Sequence, residues 1–185
     1  MFDNLKYNKS LKELSRLTKF LKRQRQMYNL TTARHIGIVF NLTDSSVFDA
    51  VIGLKSMLER IPIITEAIGY YNDKEVPQLY TMEKGIKVFS KVDLNWYKKP
   101  ETPVVSEFVS KDFDILIDLT QDEILPLRWV SSLSKAKFKV GALNYFNNPF
   151  DLIVTVDKSL GLEYLTQQIY NTLEVLNNRF AQQTV

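Results

Sequence analysis

Cysteine is absent from this chain, which excludes a disulfide, a thiolate metal site and a cysteine nucleophile. Histidine occurs once, at His35, so no site can rest on two imidazoles. Glycine is scarce, with six residues, and none falls into G-x-x-x-x-G-K-[ST] or G-x-G-x-x-G; both common glycine-rich phosphate loops are missing. A G-x-S-x-G elbow for a serine nucleophile is missing too. No apolar run approaches the roughly 18 residues of a membrane span, and the opening MFDNLKYNKS has no apolar signal core. The expectation is a cytoplasmic protein that does not enter a membrane.

What is present suffices for one core: 185 residues, of which 45% are hydrophobic. The formal net charge of +3 hides an asymmetry. Residues 1–35 hold nine Lys/Arg against Asp3 and Glu13, whereas the other 150 residues hold 15 against 19. A basic arm (1–34) precedes a mildly acidic body (35–185).

From Ser10 to Tyr28 no glycine or proline interrupts a run of good helix formers, so the pattern predicts one helix over 10–28. At about 100° per residue Leu14, Leu17, Leu21 and Tyr28 share one face, and Lys12, Arg16, Lys19 and Arg23 lie opposite. Ser10 and Glu13 have the spacing of a capping box, which places the helix start at Ser10. The basic face is either the solvated back of a docked helix or a stripe for an anionic partner. As a partner, RNA, ribosomal RNA included, fits better than a membrane surface, because the apolar face is narrow and lacks tryptophan. A further alternative is that the leucine face docks on another protein or a second copy.

The candidate RNA contacts are therefore Lys12, Arg16, Lys19, Lys22, Arg23 and Arg25. Trp96, Lys98 and Lys99 join them, since aromatic rings beside cations stack bases and meet phosphates. Trp96 can equally cover an edge of the core. Lys135, Lys137 and Lys139 alternate with apolar residues, which puts three cations on one side of a strand as a basic patch or a soluble edge.

The body reads as alternating strands and helices. Apolar runs at His35–Asn41, Pro62–Tyr71, Ile86–Phe89, Phe113–Leu119, Phe138–Ala142 and Phe150–Val156 read as strands. Helical patterns follow at Val47–Ile61, Val104–Val109, Glu123–Ser134 and Leu160–Phe180. This order predicts an α/β, doubly wound, mostly parallel sheet of Rossmann-like type behind a basic amphipathic N-terminal helix.

The block Phe113–Leu119, then Leu127–Val130 and Leu133–Gly141, resembles the strand–helix–strand segment in the N-terminal half of heptosyltransferase-like glycosyltransferases. The resemblance implies a Rossmann-like layer and a sugar phosphate or nucleotide as ligand. It covers about thirty residues; the glycine-rich turn of that family is replaced by Asn41–Asp44 here, and 185 residues leave no space for its second domain. The layout, with Asp151–Asp157 and Gly161–Leu165 near its end, also resembles an uncharacterised protein family of Bacteroidota, which implies no activity.

In a doubly wound sheet ligands bind at the carboxyl ends of the strands. There the sequence offers Asn41, Thr43, Thr120, Asp157, Lys158 and Ser159 as a ligand-binding alternative to the arm. The rim carboxylates Asp44, Asp122 and Asp157 each precede a helix, so capping explains them better than Mg²⁺ ligation. His35 starts a strand at its amino end, opposite that rim. No catalytic residue, metal ligand or cofactor is assigned. The reading leans away from an enzyme and toward a binding module.

Overall fold

The computed structural model describes residues 2–176. Helix α1 spans Phe2–Thr18, then a stretch of turns and irregular backbone leads to β1 (His35–Leu42). The chain continues through α2 (Ser45–Leu58), β2 (Ile64–Tyr71), β3 (Ile86–Ser90), α3 (Pro103–Ser110), β4 (Ile115–Asp118), α4 (Leu125–Leu133), β5 (Phe138–Gly141), β6 (Leu152–Ile153) and α5 (Gly161–Val175). The expected extension of the last helix to Phe180 falls outside the described residues.

The six strands form one sheet in the order β3-β2-β1-β4-β5-β6, and every pairing is parallel. The chain winds outward from β1 to β3, returns through α3 to β4 beside β1, and winds outward again on the other side. This is the doubly wound arrangement the alternation predicts, and it creates a switch point between β1 and β4. One face of the sheet, with Ile36, Ile38, Phe40, Ile117 and Val140, packs on α2 and α5. The other, with Val39, Ile68, Phe89 and Leu116, packs on α3 and α4. Parallel strands covered on both faces need apolar residues at nearly every position, which is why HIGIVF and DILIDL read as continuous runs. Two glycines have steric reasons: a Cβ on Gly69 would stand 2.5 Å from the Phe40 ring, and one on Gly141 2.3 Å from the Phe150 ring.

The arm departs from expectation. The helix begins near Phe2, not Ser10, and ends at Thr18, ten residues before Tyr28. Ser10 lies mid-helix and fully buried, where its hydroxyl accepts from the Trp129 indole N–H at 2.7 Å. Glu13 makes no cap; it pairs with Lys9 at 2.8 Å and Arg16 at 2.9 Å. The helix ends where Thr18 Oγ1 donates back to the Leu14 carbonyl at 3.0 Å and the backbone tightens into i→i+3 bonds, Phe20 N to Leu17 O and Leu21 N to Thr18 O.

Residues 142–151 join β5 to β6 as a loop without a helix. On that face of the sheet α1 packs beside α4 and covers what a crossover helix would have covered. The arm is thereby part of the layer structure, with Leu14 buried in its own chain.

Candidate functional site

Two concavities matter, one on the α1–α4 face of the sheet and one at its carboxyl rim. The first is a hollow of about 690 Å³ between α1, α4, β5 and residues 146–149. Lys12, Lys19, Arg23, Arg25, Arg128 and Lys139 line it, and neither aspartate nor glutamate is among the lining residues.

Its cations are held in different ways. Arg23 has a side chain only 7% exposed; its Nε donates to the Ala136 carbonyl at 2.5 Å and a terminal nitrogen to the Lys137 carbonyl at 3.1 Å. Its charge is met by Asp151, whose other oxygen lies 3.8 Å from the exposed Arg25. Arg128 pairs with Glu123, donates to the Phe146 carbonyl at 3.0 Å and lies 4.6 Å from the centre of the Tyr145 ring. Lys12 and Lys19 are exposed at the mouth.

Lys139 is the unexpected member. Strand β5 is flanked by β4 and β6, and of the three alternating lysines only Lys139 faces α4 and α1; Lys135 is exposed before the strand, and Lys137 stands over the Tyr28 ring. Lys139 is 1% exposed and its Nζ donates to the Ser131 and Ser132 carbonyls at 2.6 and 3.3 Å, in the last turn of α4. Burial, aided by the charges of Arg23 and Arg25, pushes its ammonium down to about 7, against the pull of Asp151 and Asp118. Ser131 Oγ in turn donates to Asp118 at 2.5 Å, and burial pushes that carboxyl up. Lys137 pairs with Asp114 at 2.9 Å. Lys139 therefore belongs to neither a surface patch nor a soluble edge, whereas Lys135 stays exposed.

The second concavity, about 480 Å³, lies at the carboxyl ends of β1 and β2 and the start of α4, which is the switch point. Asn41, Thr43, Tyr70, Asn72, Asp73 and Lys98 are among its lining residues. Thr43 Oγ1 donates to Asp44 at 2.9 Å, and the Tyr70 hydroxyl donates to Asn72 at 2.9 Å. Lys98 reaches the cleft from a left-handed backbone position, φ 68°.

The residues proposed from sequence are thus divided. Of the arm set, Lys12, Lys19, Arg23 and Arg25 meet at the hollow, while Arg16 is paired with Glu13 and Lys22 is exposed outside it. Trp96 is 58% exposed and does not cover a core edge; it stands edge-on to Tyr97 at 5.2 Å. Lys99 lies 6.0 Å from the centre of the buried Trp129 ring and 3.6 Å from Glu101. Of the rim set, Asn41 and Thr43 line the switch-point cleft. Thr120 is turned to Asp118, to which its backbone N–H and hydroxyl donate at 3.0 and 2.6 Å.

Asp157 caps the short 3₁₀ turn Lys158–Leu160, accepting from the Ser159 N–H at 2.8 Å and hydroxyl at 2.7 Å. Lys158 pairs with Asp122 and not with Asp157. Asp44 does cap α2, as expected, with bonds from Ser46 N and Val47 N. Asp122 does not cap α4, whose first turn has no side-chain cap and carries Pro126. His35 sits 3.1 Å from Glu66 at the amino edge. Among the described residues no three His, Cys, Asp or Glu form a group able to hold a metal ion.

Sequence reasoning missed Arg128 and the loop at 146–149, and it named Lys139 as a patch or edge cation without foreseeing its burial. A signal existed for Lys139, because a lysine within an apolar strand of a parallel sheet is covered on both faces. None existed for Arg128, whose place in the hollow depends on where α1 docks.

A family of unknown function, DUF6913, matches residues 6–176. The chain belongs to this family. No curated protein matches this DUF6913 chain. Among solved structures it is similar to an exopolyphosphatase-related protein from Bacteroides fragilis, with a TM-score of 0.51 and 13% identity over 86% of the present chain. The DUF6913 chain spans 43% of that protein's length, so the likeness concerns the fold alone.

Proposed function

We propose that this protein is a binding module for RNA, contacting the phosphates of a single strand through the cations of its N-terminal arm. The observation that carries the reading is the hollow beside α1, where six Lys and Arg residues, with no aspartate or glutamate among them, line one concavity. Lys12 and Lys19 stand exposed at its mouth and Arg25 beside them. The leucine face that would serve a partner helix in trans is engaged in cis, with Leu14 buried in the monomer. No helix among the described residues is long and apolar enough to cross a membrane.

The test is fluorescence anisotropy with a labelled single-stranded RNA across a salt series. Affinity should fall with log salt at a slope of about −0.7 per phosphate contact, so three contacts give a slope near −2. Lys12→Gln with Lys19→Gln should lower both affinity and slope. Absent binding, or binding indifferent to salt, would sink the proposal. Inorganic polyphosphate belongs in the same assay as a competitor, because the structural neighbour is described as exopolyphosphatase-related.

A second reading rests on the switch-point cleft and on the glycosyltransferase-like block at 113–141. Its amide and hydroxyl groups, with Lys98 beside them, suit a sugar phosphate or a nucleotide. A thermal-shift screen checks it: a ligand at 100 times its dissociation constant should add about 2.7 kcal/mol of stability. Asn41→Ala should abolish that shift.

A further inference from the structure

A groove that follows a nucleic-acid backbone spreads its cations along a track; the hollow beside α1 gathers them in one concavity. Lys12, Lys19 and Arg25 come from the arm at its mouth, and Arg128 and Lys139 from its floor. The Arg128 side chain is only 9% exposed, and its Nε is the single buried side-chain nitrogen or oxygen among the described residues with no hydrogen-bond partner. Glu123, the Phe146 carbonyl and the Tyr145 ring fix the rest of this guanidinium, so the spare N–H is held in place. Arg128 thus brings to the wall of the hollow a guanidinium that is fixed in place and not fully matched within the chain.

At the rim Phe146 is 86% exposed, and Asn147, in a left-handed conformation with φ 56°, makes no side-chain hydrogen bond within the described residues. An exposed aromatic ring next to converging cations is the pairing that stacks a base while its phosphate is held.

We propose that the hollow seats the terminal phosphate of an RNA strand, a phosphomonoester, with the end base against Phe146. The inference rests on the RNA reading above and specifies which part of the strand the site takes. A monoester carries nearly two charges and three free oxygens, against one charge and two free oxygens for an internal diester, so converging cations favour the end over the middle. The exposed lysines at the mouth supply its donors, and the Arg128 guanidinium adds a fixed positive charge behind them.

The experiment compares one labelled RNA sequence in three forms, with a 5′-phosphate, with a 3′-phosphate and with hydroxyls at both ends, on the full-length protein. One phosphorylated form should bind at least about tenfold tighter than the hydroxyl form, and which one distinguishes the two ends. Lys12→Gln with Lys19→Gln, exposed positions that leave the fold intact, should reduce that preference severalfold. Arg128→Gln should abolish it, with circular dichroism verifying the fold, and Phe146→Ala should weaken all three strands together. Equal binding of the three forms, or a preference that survives both the lysine and the Arg128 substitutions, overturns this inference and leaves the RNA reading standing. Binding of none overturns the RNA reading, and the inference with it.

Discussion

Lys139 shows how much one residue's surroundings decide. A lysine among valine and phenylalanine in β5 has no route to water, and its ammonium is met by the last-turn carbonyls of α4, where a cation also suits the helix dipole. The folded chain releases this proton near pH 7, whereas the unfolded chain holds it until near 10.5. Between those values the unfolded state binds more protons, so raising the pH penalises unfolding and stability rises. The group contributes up to about 1.4 kcal/mol per pH unit in that window. Urea denaturation at pH 7, 8 and 9 should show the wild type gaining on Lys139→Met at each step; a constant difference would mean that Lys139 is charged throughout. Arg23, Arg25, Asp151 and Asp118 are the charges that set this group. Ser10 makes a parallel case: a residue that reads as a helix cap spends its hydroxyl on the Trp129 indole.

At the scale of elements the arm is where local preference and tertiary contact disagree. Residues 21–28 have good helical propensity and no breaker, yet they form no regular secondary structure. This non-helical path lets Arg23 reach the Ala136 and Lys137 carbonyls and Asp151, lets Gln26 N donate to Lys137 O at 3.1 Å, and lets Leu30 N donate to Leu173 O at 3.3 Å. A few tenths of a kcal/mol per residue of propensity cannot compete with a nearly buried charge that is fully partnered. Arg23→Gln leaves Asp151 without that partner and should cost about 3 kcal/mol of stability. Hydrogen exchange at the Gln26 amide should accelerate with it; unchanged exchange would show that Arg23 does not hold the segment.

For the molecule as a whole, α1 occupies the layer position left open by the loop between β5 and β6. Deleting residues 2–18 would strip the partner from the Trp129 indole and uncover Lys139. We expect that deletion to lower the denaturation midpoint and shift tryptophan emission to the red; a truncated chain as stable as the full one would make the arm an appendage. Loss of RNA binding on truncation is therefore a weaker test than the Lys12 and Lys19 substitutions, which keep the layer intact.

The doubly wound sheet was legible in the sequence, because buried parallel strands impose continuous apolar runs, as in HIGIVF and DILIDL, and their helices a period of about 3.6, as in the last helix. The helix-capping role of Asp44 and the edge position of His35 were legible for the same local reason. The charge asymmetry is also a property of the sequence alone, and it directed attention to the arm. Where that arm ends its helix, which of its cations remain exposed and which residues of the body complete the hollow were decided by tertiary structure. Arg128 and Lys139 lie more than a hundred residues from Lys12 and Lys19 and meet them only because α1 fills an open place in a layer. No local pattern encodes that meeting, since it depends on the contact that α1 makes with α4.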